Sequence, residues 1–380
     1  MNDASKTIRS LTALAASAIL ALGVAACGDD DQGGSGGSGG SSSSSSDSGG
    51  AKLSGQLSGA GASSQAAAQE AWRAGFQEAN PDVTVSYDPI GSGGGREQFV
   101  AGGIPFGGTD AAFADDELSG AQKRCGGADN LLELPVYISP IAIVYNLDGV
   151  DSLQLKPDTI ARIFKGDITK WDDPAIKADN PDAKLPSDRI TVVHRSDESG
   201  TTENFEDYLS QTAGDTWTYE VSGDWPVKGQ EAAQGTSGVI DAVTNGSGTI
   251  GYADESQAGD LGKAKVGVGG EFVEPNAESA AAIFDASKES EDPGKYVFTY
   301  DLARTTTESG TYPIVLVSYA MACTKYDDAK QGDLVKGYLT YIASADGQQQ
   351  AADNAGSAPL PDSVRSKIEP AIEAIGGSSS

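Results

Sequence analysis

Leu134-Pro-Val-Tyr-Ile-Ser-Pro-Ile-Ala-Ile-Val-Tyr145 is a long apolar, β-branched stretch broken by two prolines. Its composition predicts extended chain, and a long extended stretch interrupted by prolines suits a crossover from one lobe to another. Tyr312-Pro-Ile-Val-Leu-Val-Ser-Tyr319 repeats the pattern near the other end of the chain. Two such stretches predict a chain that crosses from one lobe to a second and later returns.

The segments between them read as α/β units. Gln56–Ser64 is an extended stretch that turns into a helix over Gln65–Ala79, where Ala68, Trp72 and Phe76 recur at helical spacing and Asn80-Pro81 ends the run. Val83-Thr-Val-Ser-Tyr87 alternates as a half-buried strand, and Ser92–Gly95 leads into a helix carrying Phe99 and Val100. Ile104–Asp110 is a short strand that delivers Asp110 at its C-terminal end, the edge where ligands sit in open α/β sheets. In the second lobe, Ile160–Gly166 is the end of a helix, Ile190–His194 a buried strand and Thr201–Ser210 a helix. A further helix starts at Gly238, Thr249–Tyr252 is a strand, and Asp328–Ala343 is a helix after the return. The predicted organisation is 52–137 for the first part of lobe I, 138–312 for lobe II, and 313–376 for the second part of lobe I.

The ends carry different signals. Lys6 and Arg9 precede an apolar run from Leu11 to Ala26, shorter than the ~20 residues a membrane-spanning helix needs and suited to the h-region of a signal peptide over 1–26. Val24-Ala-Ala-Cys27 resembles a bacterial lipobox, which makes Cys27 the expected lipidated first residue of the mature chain; an ordinary cleavage site is the alternative. Asp29–Gly50 is almost wholly Gly, Ser and Asp, a tether with a root-mean-square reach of about 25 Å. Residues 27–51 are therefore lipidated cysteine and linker, and 377–380 a short tail. Cys125 and Cys323 remain; in an exported chain pairing is favoured over two free buried thiols.

Composition limits the function. The 380 residues include 55 acidic against 26 basic side chains, a net charge of -29, which repels nucleic acid and anionic bilayer surfaces. An anionic ligand must then be held by local dipoles and a placed arginine. Two tracts offer such a place: Ile90-Gly-Ser-Gly-Gly-Gly95-Arg-Glu-Gln-Phe-Val100 and Arg195-Ser-Asp-Glu-Ser-Gly-Thr201-Thr-Glu-Asn-Phe205. Each sets bare amides and hydroxyls at a helix start, where unsatisfied N–H groups and the helix dipole receive an oxyanion. Ser63, Ser92 and Ser199 are candidate helix caps, Arg195 a planar fork, and Asp197 the residue that holds the fork.

Taken together, Gly59-Ala-Gly-Ala62, Ile90–Gly95, Phe106-Gly-Gly-Thr-Asp110, Arg195–Thr201 and Ile250-Gly-Tyr252 resemble the substrate-binding proteins of bacterial phosphate ABC transporters, from about Leu57 to Pro361. The resemblance implies a type II periplasmic-binding-protein fold: two α/β lobes joined by a hinge of two crossover segments, closing on one buried phosphate. It places ligand contacts on Ser63, Ser64, Ser92, Asp110, Arg195, Ser199, Gly200 and Thr201. Ser63-Ser64 stands where the family usually has Thr-Phe; position 64 is expected to act through its backbone N–H. The resemblance also implies permease subunits as partners, no cofactor or metal, a monomer, and a lipid-anchored location on the outer face of the cell membrane.

Asp110 is expected to discriminate among oxyanions, because its carboxylate can accept a hydrogen bond from the proton that hydrogen phosphate carries and sulfate lacks. Binding of sulfate or molybdate is the rival reading, and a tethered phosphate sensor is another. An enzyme is disfavoured. His194 is the only histidine and reads as a strand residue preceding the site, no nucleophile elbow surrounds Ser199, and no histidine–carboxylate cluster offers a catalytic metal site.

Overall fold

The computed structural model describes residues 52–290 and 294–376. The expectations for the signal peptide, Cys27, the linker to residue 51 and the tail 377–380 lie outside the described residues.

The main sheet contains β1 (Gly55–Gly61), β2 (Val83–Asp88), β3 (Phe106–Thr109), β4 (Leu131–Asn146), β5 (Thr191–Arg195), β6 (Glu231–Ala233), β7 (Thr249–Asp254) and β8 (Val315–Cys323). Their spatial order is β2-β1-β3-β8-β4-β7-β5-β6. The helices that bear on the site and its support are α1 (Ala66–Ala79), α2 (Ser92–Val100), α3 (Asp115–Arg124), α4 (Pro157–Lys165), α5 (Gly200–Thr212) and α6 (Gly235–Asn245). After β8 come α7 (Ala329–Ala343), α8 (Ala345–Ala355) and α9 (Asp362–Glu373).

The Leu134–Tyr145 stretch lies within the single 16-residue strand β4. From Leu131 to Pro140 it pairs antiparallel with β8, and from Ile141 to Asn146 antiparallel with β7. Pro140 stands at this handover, while Pro135 stands where the β4–β8 register shifts between Ser318 and Tyr319. A missing N–H is tolerated at such irregularities and would break a regular central ladder. On one side of the central pair, β1 runs parallel to β2 and β3; on the other, β5 runs parallel to β6 and β7. This is the two-lobed α/β architecture, joined through β4 and β8.

One segment inside the predicted 138–312 span sits with the first lobe. Tyr296-Val297 pairs in parallel with Leu132-Glu133, and Val297 packs with Phe99, Ile104, Cys125 and Met321. The same cluster contains a disulfide between Cys125 and Cys323, with a Cα–Cα distance of 5.2 Å and 198 residues of sequence separation. It fastens the end of α3 to the end of β8.

Local sequence accounts for the helices that face the cleft. α1 buries Ala68, Ala71, Trp72 and Phe76, and the Asn80 side chain closes it by donating to the Phe76 carbonyl at 2.9 Å. α5 is capped by Ser199, whose Oγ accepts from the Thr202 N–H at 3.3 Å. Its fully buried Phe205 packs edge-on against Phe164 of α4, with ring centroids 4.8 Å apart; burial of such a ring contributes about 1.5–3 kcal/mol. α6 starts at Gly235, three residues before the expected Gly238. Its first turn, Gly235-Thr-Ser-Gly, has no apolar residue until Val239, so hydrophobic spacing marks only the second turn.

Burial also sets a pH dependence. Glu133 on β4 and Glu206 on α5 are buried, and desolvation pushes both up to about 8; the Phe113 N–H and the Arg96 charge oppose this for Glu133, and the Ser222 N–H for Glu206. An unfolded glutamate titrates near about 4.3, so between those values the folded chain binds more protons than the unfolded one. The stability these groups contribute is fully present below the unfolded value and is lost as pH rises through about 8. The thermal midpoint is therefore expected to fall between pH 6 and 9, and Glu206→Gln to flatten part of that slope in a melting series. An unchanged slope in the variant would remove Glu206 from the account.

Candidate functional site

The cleft is built where strands end and helices begin. Ser63 and Ser64 lie in the turn between β1 and α1, Ser92 opens α2, Asp110 follows β3 and Arg195 ends β5. Ser199, Gly200 and Thr201 form the cap and first turn of α5. All of these residues are buried. The N-termini of α2, α5 and α6 meet here, so several helix dipoles present their positive ends to one volume.

Asp110 is at the centre. Its Oδ1 accepts from Ser64 Oγ and Ser318 Oγ, each at 2.6 Å, and its Oδ2 accepts from Thr201 Oγ at 3.1 Å. Its own N–H donates to Ser92 Oγ at 3.1 Å. An ionised carboxylate has about four lone-pair positions; the three hydroxyls fill three, and Oδ2 keeps one for a further donor. Burial raises the Asp110 carboxyl above the usual range, against the three hydroxyl bonds and the Arg195 charge, which pull it down. Ser64 and Thr201 commit their hydroxyl protons to Asp110, so the donors they could offer an anion are their backbone N–H groups.

Arg195 supplies the positive fork. Its Nε donates to Asp197 Oδ1 at 2.8 Å and its Nη2 to Asp197 Oδ2 at 2.5 Å, with the Arg195 side chain almost wholly buried. Two of five N–H donors are thereby fixed, and three remain for a ligand. Asp197 also accepts the Gly235 N–H at 3.0 Å, which ties the fork to the start of α6. Burial pushes the Asp197 carboxyl up, but the hydrogen bonds and charge of Arg195 and the Gly235 amide hold it below the usual range. The arginine and its partner cancel in charge, so helix-end amides must carry the rest of an anion's stabilisation. In α5 the Ser199 N–H goes to the Gly223 carbonyl and that of Thr202 to the Ser199 cap. The amides of Gly200 and Thr201 have no acceptor in the helix ladder and could serve a ligand.

Two glycines are required by close approach. A Cβ at Gly200 would lie 2.7 Å from Asp110 Cβ and 2.8 Å from Ser92 Oγ, so α5 meets the Asp110 turn only without a side chain there. Gly91 has φ 98°, its amide reaches the Gly61 carbonyl at 2.9 Å, and a Cβ would meet Asp197 Oδ2 at 2.5 Å. These contacts bring the two glycine-containing tracts together.

Of the three expected serine caps, only Ser199 is one. Ser92 is the first helical residue, after Gly91, and its hydroxyl serves Asp110 instead. Ser63 precedes Gln65, the cap position of α1, which makes no side-chain cap bond. Its Oγ instead accepts the Thr236 N–H at 3.2 Å and pairs with Thr236 Oγ at 2.9 Å, linking the β1 turn to α6. Ser318 and Thr236 were not anticipated. The available signal for Ser318 is a lone serine inside Val315-Leu-Val-Ser318-Tyr-Ala, a strand otherwise built of apolar and aromatic residues. Tyr252 completes the second-lobe side, its hydroxyl pairing with Thr202 Oγ at 2.7 Å and accepting the Arg195 N–H at 3.4 Å. His194 turns its ring onto Trp225, centroids 5.6 Å apart, rather than to the Asp110 cluster.

Fold and site together define a two-lobed substrate-binding protein of the type II periplasmic-binding-protein class. A family model described as a PBP superfamily domain matches residues 46–346. The phosphate-binding protein PstS 3 of Mycobacterium tuberculosis is 38% identical over 368 residues, covering 95% of this chain and 98% of the relative. That of Mycobacterium leprae is 35% identical over 371 residues, with the same coverage of 95% and 98%. Among solved structures, a high-affinity periplasmic phosphate-binding protein, PfluDING, solved with phosphate bound, shares the fold. Its TM-score is 0.66 at 22% identity, over 83% of this chain and 93% of that one. The chain belongs to the PstS family of phosphate-binding proteins. That family consists of transport substrate-binding proteins and not enzymes.

Proposed function

We propose that this protein binds inorganic phosphate as hydrogen phosphate between its two lobes and hands it to a phosphate ABC permease. One observation carries the reading: a buried carboxylate, held by three hydroxyl donors and keeping one acceptor position, stands among helix N-termini with the Arg195 fork. A site for any oxyanion needs the donors; only a protonated oxyanion has use for Asp110. The contact set is Ser63, Ser64, Ser92, Asp110, Arg195, Ser199, Gly200 and Thr201, with Asp197 in support.

The lobes are taken as 52–137 with 313–376 and as 138–312, apart from the Tyr296-Val297 excursion. A signal peptide, a lipid on Cys27 and the Gly/Ser tether would hold a monomeric domain at the outer face of the cell membrane. Among the described residues no helix is long and apolar enough to cross a membrane.

Isothermal calorimetry with phosphate, sulfate and molybdate tests the ligand. Saturable one-to-one phosphate binding with the other two inert is the expected result; sulfate or molybdate binding as tightly as phosphate would replace the reading with that of a general oxyanion binder.

A further inference from the structure

Arg304 lies in the segment that enters β8 and is 2% exposed. Its Nε donates to Asp207 Oδ2 of α5 at 2.9 Å, and its Nη1 to the carbonyls of Pro313 and Val315 at 3.1 and 2.5 Å. Its Nη2 donates to Oδ1 of Asn204, also on α5, at 2.6 Å. A guanidinium has no acceptor, so the Asn204 amide must turn its oxygen toward Arg304 and its nitrogen the other way. That nitrogen meets two carbonyls, Gly200 O at 2.9 Å and Asp110 O at 2.7 Å.

A continuous hydrogen-bonded path thus runs from the return strand, through Arg304 and Asn204, to the backbone of Asp110. The last bond spans the lobes, from α5 to the end of β3. Other bonds between the same sides, such as Gln257 to the Ser63 carbonyl and Arg96 to Glu198, reach neighbouring turns. Asn204 joins Thr201 Oγ in crossing from α5 to Asp110, Asn204 reaching the backbone carbonyl and Thr201 the carboxylate, and its second carbonyl, Gly200 O, belongs to the α5 turn that supplies ligand amides. The geometry is self-consistent and buried, where hydrogen bonds are least exposed to competition by water.

Resting on the phosphate reading above, we propose that Asn204, oriented by Arg304, is a positioning residue that latches the second lobe onto Asp110 and slows release of the bound anion. Opening the lobes breaks the Asn204–Asp110 bond, so the bond raises the barrier to release. Approach of the anion to parted lobes does not involve it.

The test is stopped-flow tryptophan fluorescence of phosphate binding and release, read through Trp225, which stacks beside Arg195 on His194 and lies 5.4 Å from Tyr252 between ring centroids. Asn204→Asp keeps the acceptor for Arg304 and replaces the donor facing the two carbonyls. Asn204→Ala removes the side chain without adding charge and serves if the first variant folds poorly. Release faster by about tenfold or more, with the association rate within about twofold of wild type, is the expected result for either variant. A folded variant releasing phosphate at the wild-type rate overturns the latch while leaving phosphate binding intact. A wild-type protein giving no phosphate signal here and no calorimetric heat overturns the functional reading, and the latch with it.

Discussion

Arg195→Ala is expected to reduce phosphate affinity by about a thousandfold or more in calorimetric titration. Truncating one partner of a buried charge pair costs about 2–5 kcal/mol, and here the loss is compounded. Asp197 would lose both of its guanidinium bonds, at 2.8 and 2.5 Å, while remaining partly buried beside the anion. Its carboxyl, held low by Arg195 against the effect of burial, would rise, and in its charged form it would repel the ligand. Arg195→Lys separates charge from shape. It keeps one positive charge but cannot grip Asp197 through two parallel bonds and still present several N–H groups, so it should recover only part of the loss. Affinity within tenfold of wild type in Arg195→Ala would mean that the fork does not touch the ligand.

The second large effect is on selectivity. Asp110→Asn is expected to weaken phosphate binding by about 10- to 150-fold, the loss of a charge-assisted hydrogen bond of about 1.5–3 kcal/mol. It should simultaneously admit sulfate, because a buried carboxylate facing an unprotonated oxyanion is penalised by several kcal/mol and an amide is not. The phosphate-to-sulfate ratio should therefore fall by about a hundredfold or more in paired titrations. Ser64, Ser318 and Thr201 hydroxyls can rotate to suit an amide, so the turn has a way to keep its geometry. A variant with an unchanged ratio would show that selectivity lies elsewhere.

What could be read from sequence followed from local chemistry. Pro135 and Pro140 mark the strand that changes partners because a missing N–H is a local property, and the structure uses it at a register shift and a handover. Arg195 and Asp197 are two residues apart, so their pairing needs no knowledge of the fold. Asp110 was reachable because it ends a short strand in an α/β pattern. By contrast, Ser318 reaches Asp110 across 208 residues, Thr236 reaches Ser63 across 173 and Asn204 reaches Asp110 across 94. No periodicity encodes such meetings; they arise from the return of the chain through β8 and the docking of α5 and α6 against the β1 and β3 turns. Ser63 and Ser92 do not cap for a related reason: a serine hydroxyl near a helix start goes to the strongest nearby partner, which is Thr236 of the other lobe for Ser63 and the Asp110 N–H of the same lobe for Ser92.

The most direct test of the account is a crystal structure of the protein grown with inorganic phosphate. A single tetrahedral anion is expected between the lobes, bonded to the Arg195 fork, to the Gly200 and Thr201 amides, and through its own proton to the open position on Asp110 Oδ2. Phosphate absent from the cleft at saturating concentration, or seated beyond hydrogen-bond reach of both Asp110 and Arg195, would contradict it.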